Sequence, residues 1–186
     1  MGLFGIKKRV KFVPNFKKSD YDNWLNFVAE GGTNKEWEQK KKKNNWIFPE
    51  SEAEKFMRYQ KEVNTVADTY YSQMQKIQED WSTLYNLGAY TGILADKFEK
   101  ACLTNIANYK EMRRIDKKYG QKTATNIPAF KRLAMLYEKQ ERFEDAVEVC
   151  KQAFSFGMDE RSRMARMIKK AGRKPTPEEQ DVFNEE

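Results

Sequence analysis

Apolar residues fall along this chain mostly in steps of three and four, the spacing that lines one face of an α-helix. The longest such run is Phe56, Tyr59, Val63, Val66, Tyr70, Met74, Ile77, Trp81, Leu84 and Leu87. Ser51-x-x-Glu54 opens it as a capping box. Neither Gly nor Pro interrupts it between Pro49 and Gly88, so it predicts one helix about 55 Å long. The step to Met74 departs from strict heptads, which favours packing against several neighbours over a two-stranded coiled coil. Gly88 and Gly92 predict a kink or turn, after which Leu94, Phe98, Ala101, Cys102, Ile106, Tyr109 and Met112 line a second helix. Lys117, Lys118 and Gly120 end that helix with the expected polarity.

The first 50 residues read differently. Val10 and Phe12 suggest a short extended stretch that Pro14 ends. Ser19 with Asp22 can cap a helix carrying Tyr21, Trp24, Leu25 and Val28, which Gly31-Gly32 stops. Thr33-x-x-Glu36 is a capping box for a helix with Trp37 that runs into Lys40-Lys41-Lys42-Lys43, and Trp46, Ile47 and Phe48 form an apolar knot before Pro49. Three tryptophans in so small a region are expected to anchor it, most simply onto the helices that follow.

Toward the C-terminus, Pro128 suits a first helical turn, and Phe130, Leu133, Ala134 and Tyr137 make a buried stripe. After Gln140-Glu141-Arg142 a second stripe holds Phe143, Ala146, Val147, Cys150, Ala153 and Phe154, with Gly157 as its stop. Two amphipathic helices joined by so short a turn lie antiparallel. Residues 127–160 resemble a tetratricopeptide repeat, whose aromatic, Leu, small, Tyr, aromatic, Ala and final Ala positions match Phe130, Leu133, Ala134, Tyr137, Phe143, Ala146 and Ala153. Cys150 replaces an aromatic, and Met158 stands where the family often has Pro. One repeat cannot cover its own faces. The helix ending at Lys118 is the natural partner on one side. On the other lies a helix that Asp159 can cap, holding Met164, Met167 and Ile168. Thr176-Pro177-x-Glu179 offers a last short helix before an acidic tail, Glu185-Glu186. The expected fold is all-α: antiparallel hairpins stacked as a short array, with a long central helix and a small irregular N-terminal segment. The expected divisions are 1–50, 51–174 and 175–186.

The resemblance implies a non-catalytic module that binds a protein or peptide segment in a helical groove. The outward positions of the repeat's first helix are Lys131, Met135, Glu138 and Lys139. Members that clamp a terminal carboxylate use Lys and then Asn at the first two; Lys131 fits that pattern and Met135 does not.

Composition narrows the alternatives. The 186 residues contain no His and only two Cys, Cys102 and Cys150, which removes the commonest general base and the usual structural zinc site. No Gly-rich phosphate loop or catalytic constellation is present, so neither enzyme activity nor a cofactor is expected. The cysteines sit among apolar residues and read as core positions in a reducing compartment. Mean hydropathy is −0.93, no apolar run has the length of a membrane span, and Met-Gly-Leu-Phe-Gly-Ile matches neither a secretory nor an acylation pattern. A cytoplasmic protein without membrane partners is expected. Net charge is +7, concentrated in Lys7-Lys8-Arg9, in Lys40, Lys41, Lys42 and Lys43, and in Arg161, Arg163, Arg166, Lys169, Lys170, Arg173 and Lys174. Aromatics beside such clusters support an alternative, a nucleic-acid or ribonucleoprotein binder that regulates a larger complex. Against it stands the plainer reading that the aromatics are core and the lysines solvated. Oligomerisation along the long helix is also open.

Overall fold

The computed structural model describes residues 11–184, which form eight helices and no strand among the described residues. Lys7-Lys8-Arg9, Val10 and the tail Glu185-Glu186 lie outside them. The helices are α1 (Asp20–Ala29), α2 (Asn34–Asn44), α3 (Glu52–Leu87), α4 (Ile93–Lys118), α5 (Pro128–Lys139), α6 (Phe143–Ser155), α7 (Arg161–Lys170) and α8 (Pro177–Asn184). The chain divides into two compact units, Met1–Arg58 and Tyr59–Glu186. The boundary between these units falls within α3, whose Arg58 pairs back to Glu50 at 2.7 Å.

The first unit is built on local caps and rings. The Ser19 hydroxyl accepts the Asp22 N–H, and the capping boxes of Thr33 with Glu36 and Ser51 with Glu54 are both formed. Trp37 and Phe27 are buried, and the Trp37 ring meets Phe12, Phe27, Trp46 and Phe48 at centroid distances of 5.4 to 5.7 Å. Trp37 and Trp46 therefore pack on rings of their own unit. The predicted apolar face of α1 is also corrected. Tyr21, Leu25 and Val28 are exposed and Trp24 is half-buried, while the buried face carries Asn23 and Phe27. Asn23 wins its place because its amide closes the preceding loop: Nδ2 donates to the carbonyls of Asn15, Lys18 and Ser19, and Oδ1 accepts the Asn15 N–H at 2.7 Å. Gly31 (φ +92°) ends α1 in the left-handed region that glycine tolerates best, and a Cβ on Gly32 would clash with the Phe27 ring.

In the second unit Tyr59 meets Asp116, Tyr70 meets Asn105, and Trp81 meets Phe98, so α3 and α4 run antiparallel. The turn between them passes through Gly88 (φ +61°) and Gly92 (φ +80°). Large side chains hold α3 off from α4. From α4 onward the backbones come closer, α4 to α5, α5 to α6 and α6 to α7, and the buried small residues Ala134, Ala146 and Ala153 permit that approach. Phe130, Leu133, Ala134, Tyr137, Ala146, Val147, Cys150, Ala153, Met164, Met167 and Ile168 are all buried as their spacing predicts. The ends of the stripes are not: Phe56, Leu87 and Leu94 are exposed. The N-cap of α7 is Glu160, with no side-chain cap bond; Asp159 instead accepts the Arg161 N–H and guanidinium. Helix α8 keeps its Thr176–Glu179 box and joins the second unit through buried Glu179, which Arg173 holds at 2.7 and 2.8 Å.

Candidate partner-binding surfaces

Helix α5 is the hub of the second unit. On one side Arg132 donates from Nε and Nη2 to Gln78 Oε1 of α3, at 3.0 and 2.9 Å. On the other, Glu138 receives Arg166 and Lys170 of α7, both at 2.8 Å, and Arg163 at 3.7 Å. Helices α3, α5 and α7 thus share one side of the unit. Burial works against the Glu138 carboxylate, but Arg166 and Lys170 outweigh it and hold the carboxyl down at about 2.

The four outward residues of α5 have different fates. Lys131 is exposed, with no ion pair among the described residues. Met135 is partly buried against the core. Glu138 is committed to α7, and the Lys139 ammonium sits 5.3 Å from the centre of the Tyr90 ring. The C-terminal end of α5 is further locked by Tyr137 and Arg142, which both bond Glu99 of α4. Arg132 was the residue that spacing overlooked, since no local pattern separates an arginine facing a neutral amide from one facing water.

The basic cluster of α7 is largely matched by acids: Arg161 by Asp159, Arg163 by Glu160 and Glu138, Arg166 and Lys170 by Glu138. Beyond α7, Arg173 is matched by Glu144 and Glu179. Lys169 stays exposed without an ion pair among the described residues. In the first unit Lys41 bonds Asp20, which raises the lysine pKa and ties α2 to α1, and Lys40 lies 5.9 Å from the Phe27 ring centre. Lys42 and Lys43 are exposed and have no ion pair among the described residues. Lys43 borders a hollow of about 670 Å³ with Lys11, Lys40, Phe12, Phe27 and Glu36. A second hollow of about 770 Å³ mixes Lys17, Lys18 and Lys55 with Asp22, Glu50, Glu52 and Glu54, so its wall selects no sign of charge.

Cys102 and Cys150 are buried thiols, and desolvation pushes the Cys150 pKa up to about 12 and that of Cys102 higher still. Both are held as unreactive core groups. Among the described residues no three His, Cys, Asp or Glu could share a metal ion, and no helix is long and apolar enough to cross a membrane. No protein-family model, curated protein or solved structure matches the chain.

Proposed function

We propose that the second unit is a non-catalytic interaction module that receives a protein or peptide segment on the side shared by α3, α5 and α7. One observation carries the reading: side-chain ties join α3 to α5 and α5 to α7, so alternate helices of the stack line a common surface. The tetratricopeptide resemblance of residues 127–160 supports the same use, because such arrays present the first helix of each pair to their ligand. The test is affinity purification from the native host with and without nuclease, using the full chain and Lys131→Glu. Nuclease-resistant recovery of one protein, weakened by Lys131→Glu, is expected. Recovery that disappears with nuclease would replace this reading with the next.

A second reading belongs to the first unit. It carries 13 Lys and Arg against 8 Asp and Glu, while the rest of the chain carries 22 against 20. Its hollow with Lys11, Lys40 and Lys43 beside Phe12 supports contact with a nucleic-acid strand. That reading requires affinity for RNA or DNA that falls steeply with salt. A filter-binding titration with no salt slope removes it.

A further inference from the structure

A further hollow of the first unit, of about 430 Å³, differs in sign from the two described above. Its walls are three rings, Tyr21, Trp24 and Trp37, and three carboxylates, Asp20, Glu38 and Glu54, with the Asn34 amide beside them. These are three of the unit's eight acids, and among the described residues no Lys or Arg lines the hollow. Helical spacing gathers them. Tyr21 and Trp24 lie three apart on α1, and Asn34 stands three and four residues before Trp37 and Glu38 on α2, so each set shares a face. Glu54 comes from the first turn of α3.

Hydrogen bonds hold these walls in place. Trp24 Nε1 donates to Asn34 Oδ1 at 2.8 Å, and Trp37 Nε1 donates to Asp20 Oδ1 at 3.1 Å. The Tyr21 and Trp24 rings lie 5.4 Å apart with 33° between their planes. The Ser51 hydroxyl and N–H donate to Glu54 at 2.7 and 2.8 Å, which lowers its pKa and keeps it ionised. One ammonium approaches the group: Lys41 bonds Asp20 and stands 3.8 Å from Glu38. Three carboxylates against that single ammonium leave the wall negative. Ring faces attract a cation as the carboxylates do, and the same wall repels a phosphate. A guanidinium suits it best, because its plane stacks on a ring while its fork reaches a carboxylate. The first unit as a whole carries 13 bases against 8 acids. Its overall field therefore repels a cation, and only this local wall favours one.

We propose that the hollow between Trp24 and Glu38 binds an arginine side chain carried by a protein or peptide segment, the guanidinium stacked on the Trp24 ring and paired to the Glu38 carboxylate. The site belongs to the first unit and stands apart from the interaction-module reading of the second.

The test uses the full chain and three labelled Gly-Ser peptides with acetylated and amidated ends, carrying Arg, Lys or the neutral isostere citrulline at the centre. Fluorescence anisotropy at low salt is expected to show the Arg peptide bound at least about tenfold more tightly than the citrulline peptide, with Lys between them. Glu38→Gln weakens the Arg peptide about threefold, and Glu38→Lys abolishes the preference. Glu38 is exposed, so both variants melt within about 2 °C of wild type and report on binding in a folded chain. Trp24→Leu weakens binding about tenfold. Glu30→Gln, which removes an exposed acid outside the hollow, leaves it unchanged. Citrulline bound as tightly as Arg, or no peptide bound at all, overturns the proposal. So does an equal loss in Glu30→Gln and Glu38→Gln, which would mean attraction by charge without a site. Lys bound more tightly than Arg overturns the guanidinium assignment.

Discussion

The interior of the unit ending at Arg58 is made of rings, with Phe12, Phe27, Trp46 and Phe48 gathered on Trp37. From Tyr59 onward it is made of helix faces, aliphatic and aromatic residues at steps of three and four closing on one another from α3 to α7. An apolar stripe is buried only when neighbours exist to cover it. In the second unit each helix from α3 to α7 finds such neighbours, and spacing foretells burial except at stripe ends such as Leu87 and Leu94. In the first unit two short helices surround a few large rings, and a chain segment that small cannot cover every apolar residue. Helix α1 then turns Asn23 and Phe27 inward and leaves Tyr21, Leu25 and Val28 exposed.

Substitutions can break or sharpen this contrast. Trp37→Ala should cost about 3–5 kcal/mol within the first unit, and Leu133→Ala about 2–5 kcal/mol in the second. Urea unfolding of each variant, followed by hydrogen exchange resolved along the sequence, should place the two losses in different units. Loss of protection spread evenly over both units by Trp37→Ala would deny the ring cluster its local role. Gly32→Ala forces a methyl against the Phe27 ring and should destabilise the first unit by about 1–3 kcal/mol. Ser19→Ala removes an N-cap and should cost about 1 kcal/mol. Leu25→Ser, on the face that spacing marked for burial, should change stability by no more than about 0.5 kcal/mol. A loss as large as that of Leu133→Ala would show that the exposed side of α1 is covered in solution.

Acid separates the units in another way. The Glu138 carboxyl lies at about 2 in the folded chain, below its ordinary 4.5. Its ion pairs therefore contribute fully above pH 4.5, and that contribution is lost as pH falls from there toward 2. Wild-type melting temperature should fall over that window more steeply than that of Glu138→Gln. Equal slopes would mean that the Arg166 and Lys170 pairs do not hold α7 to α5.

Much of the helical plan was legible along the chain because its signals are local. The capping boxes at Thr33, Ser51 and Thr176 each need only two side chains and the intervening turn. Glycines at 88, 92, 120 and 157 end or separate helices through backbone conformations that other residues adopt at a cost. The stripe from Phe130 to Tyr137 needs only a partner of matching period, and α6 supplies it. Less of the candidate surface was legible. Lys131, Met135, Glu138 and Lys139 share a helix as their spacing requires, but spacing does not say that Glu138 holds α7 or that Lys139 covers Tyr90.

The sequence by itself determined where most helices start and stop, that no strand-forming pattern dominates, and which residues in the middle of the second unit's stripes turn inward, because these follow from contacts within a few turns of the chain. The tertiary structure alone decided which cations are neutralised and which buried amide or guanidinium meets which partner. Such partners lie 28 residues apart for Glu138 and Arg166 and 54 for Arg132 and Gln78. Charges and amides act through the few ångströms around them, and only the packed chain brings distant segments to that range.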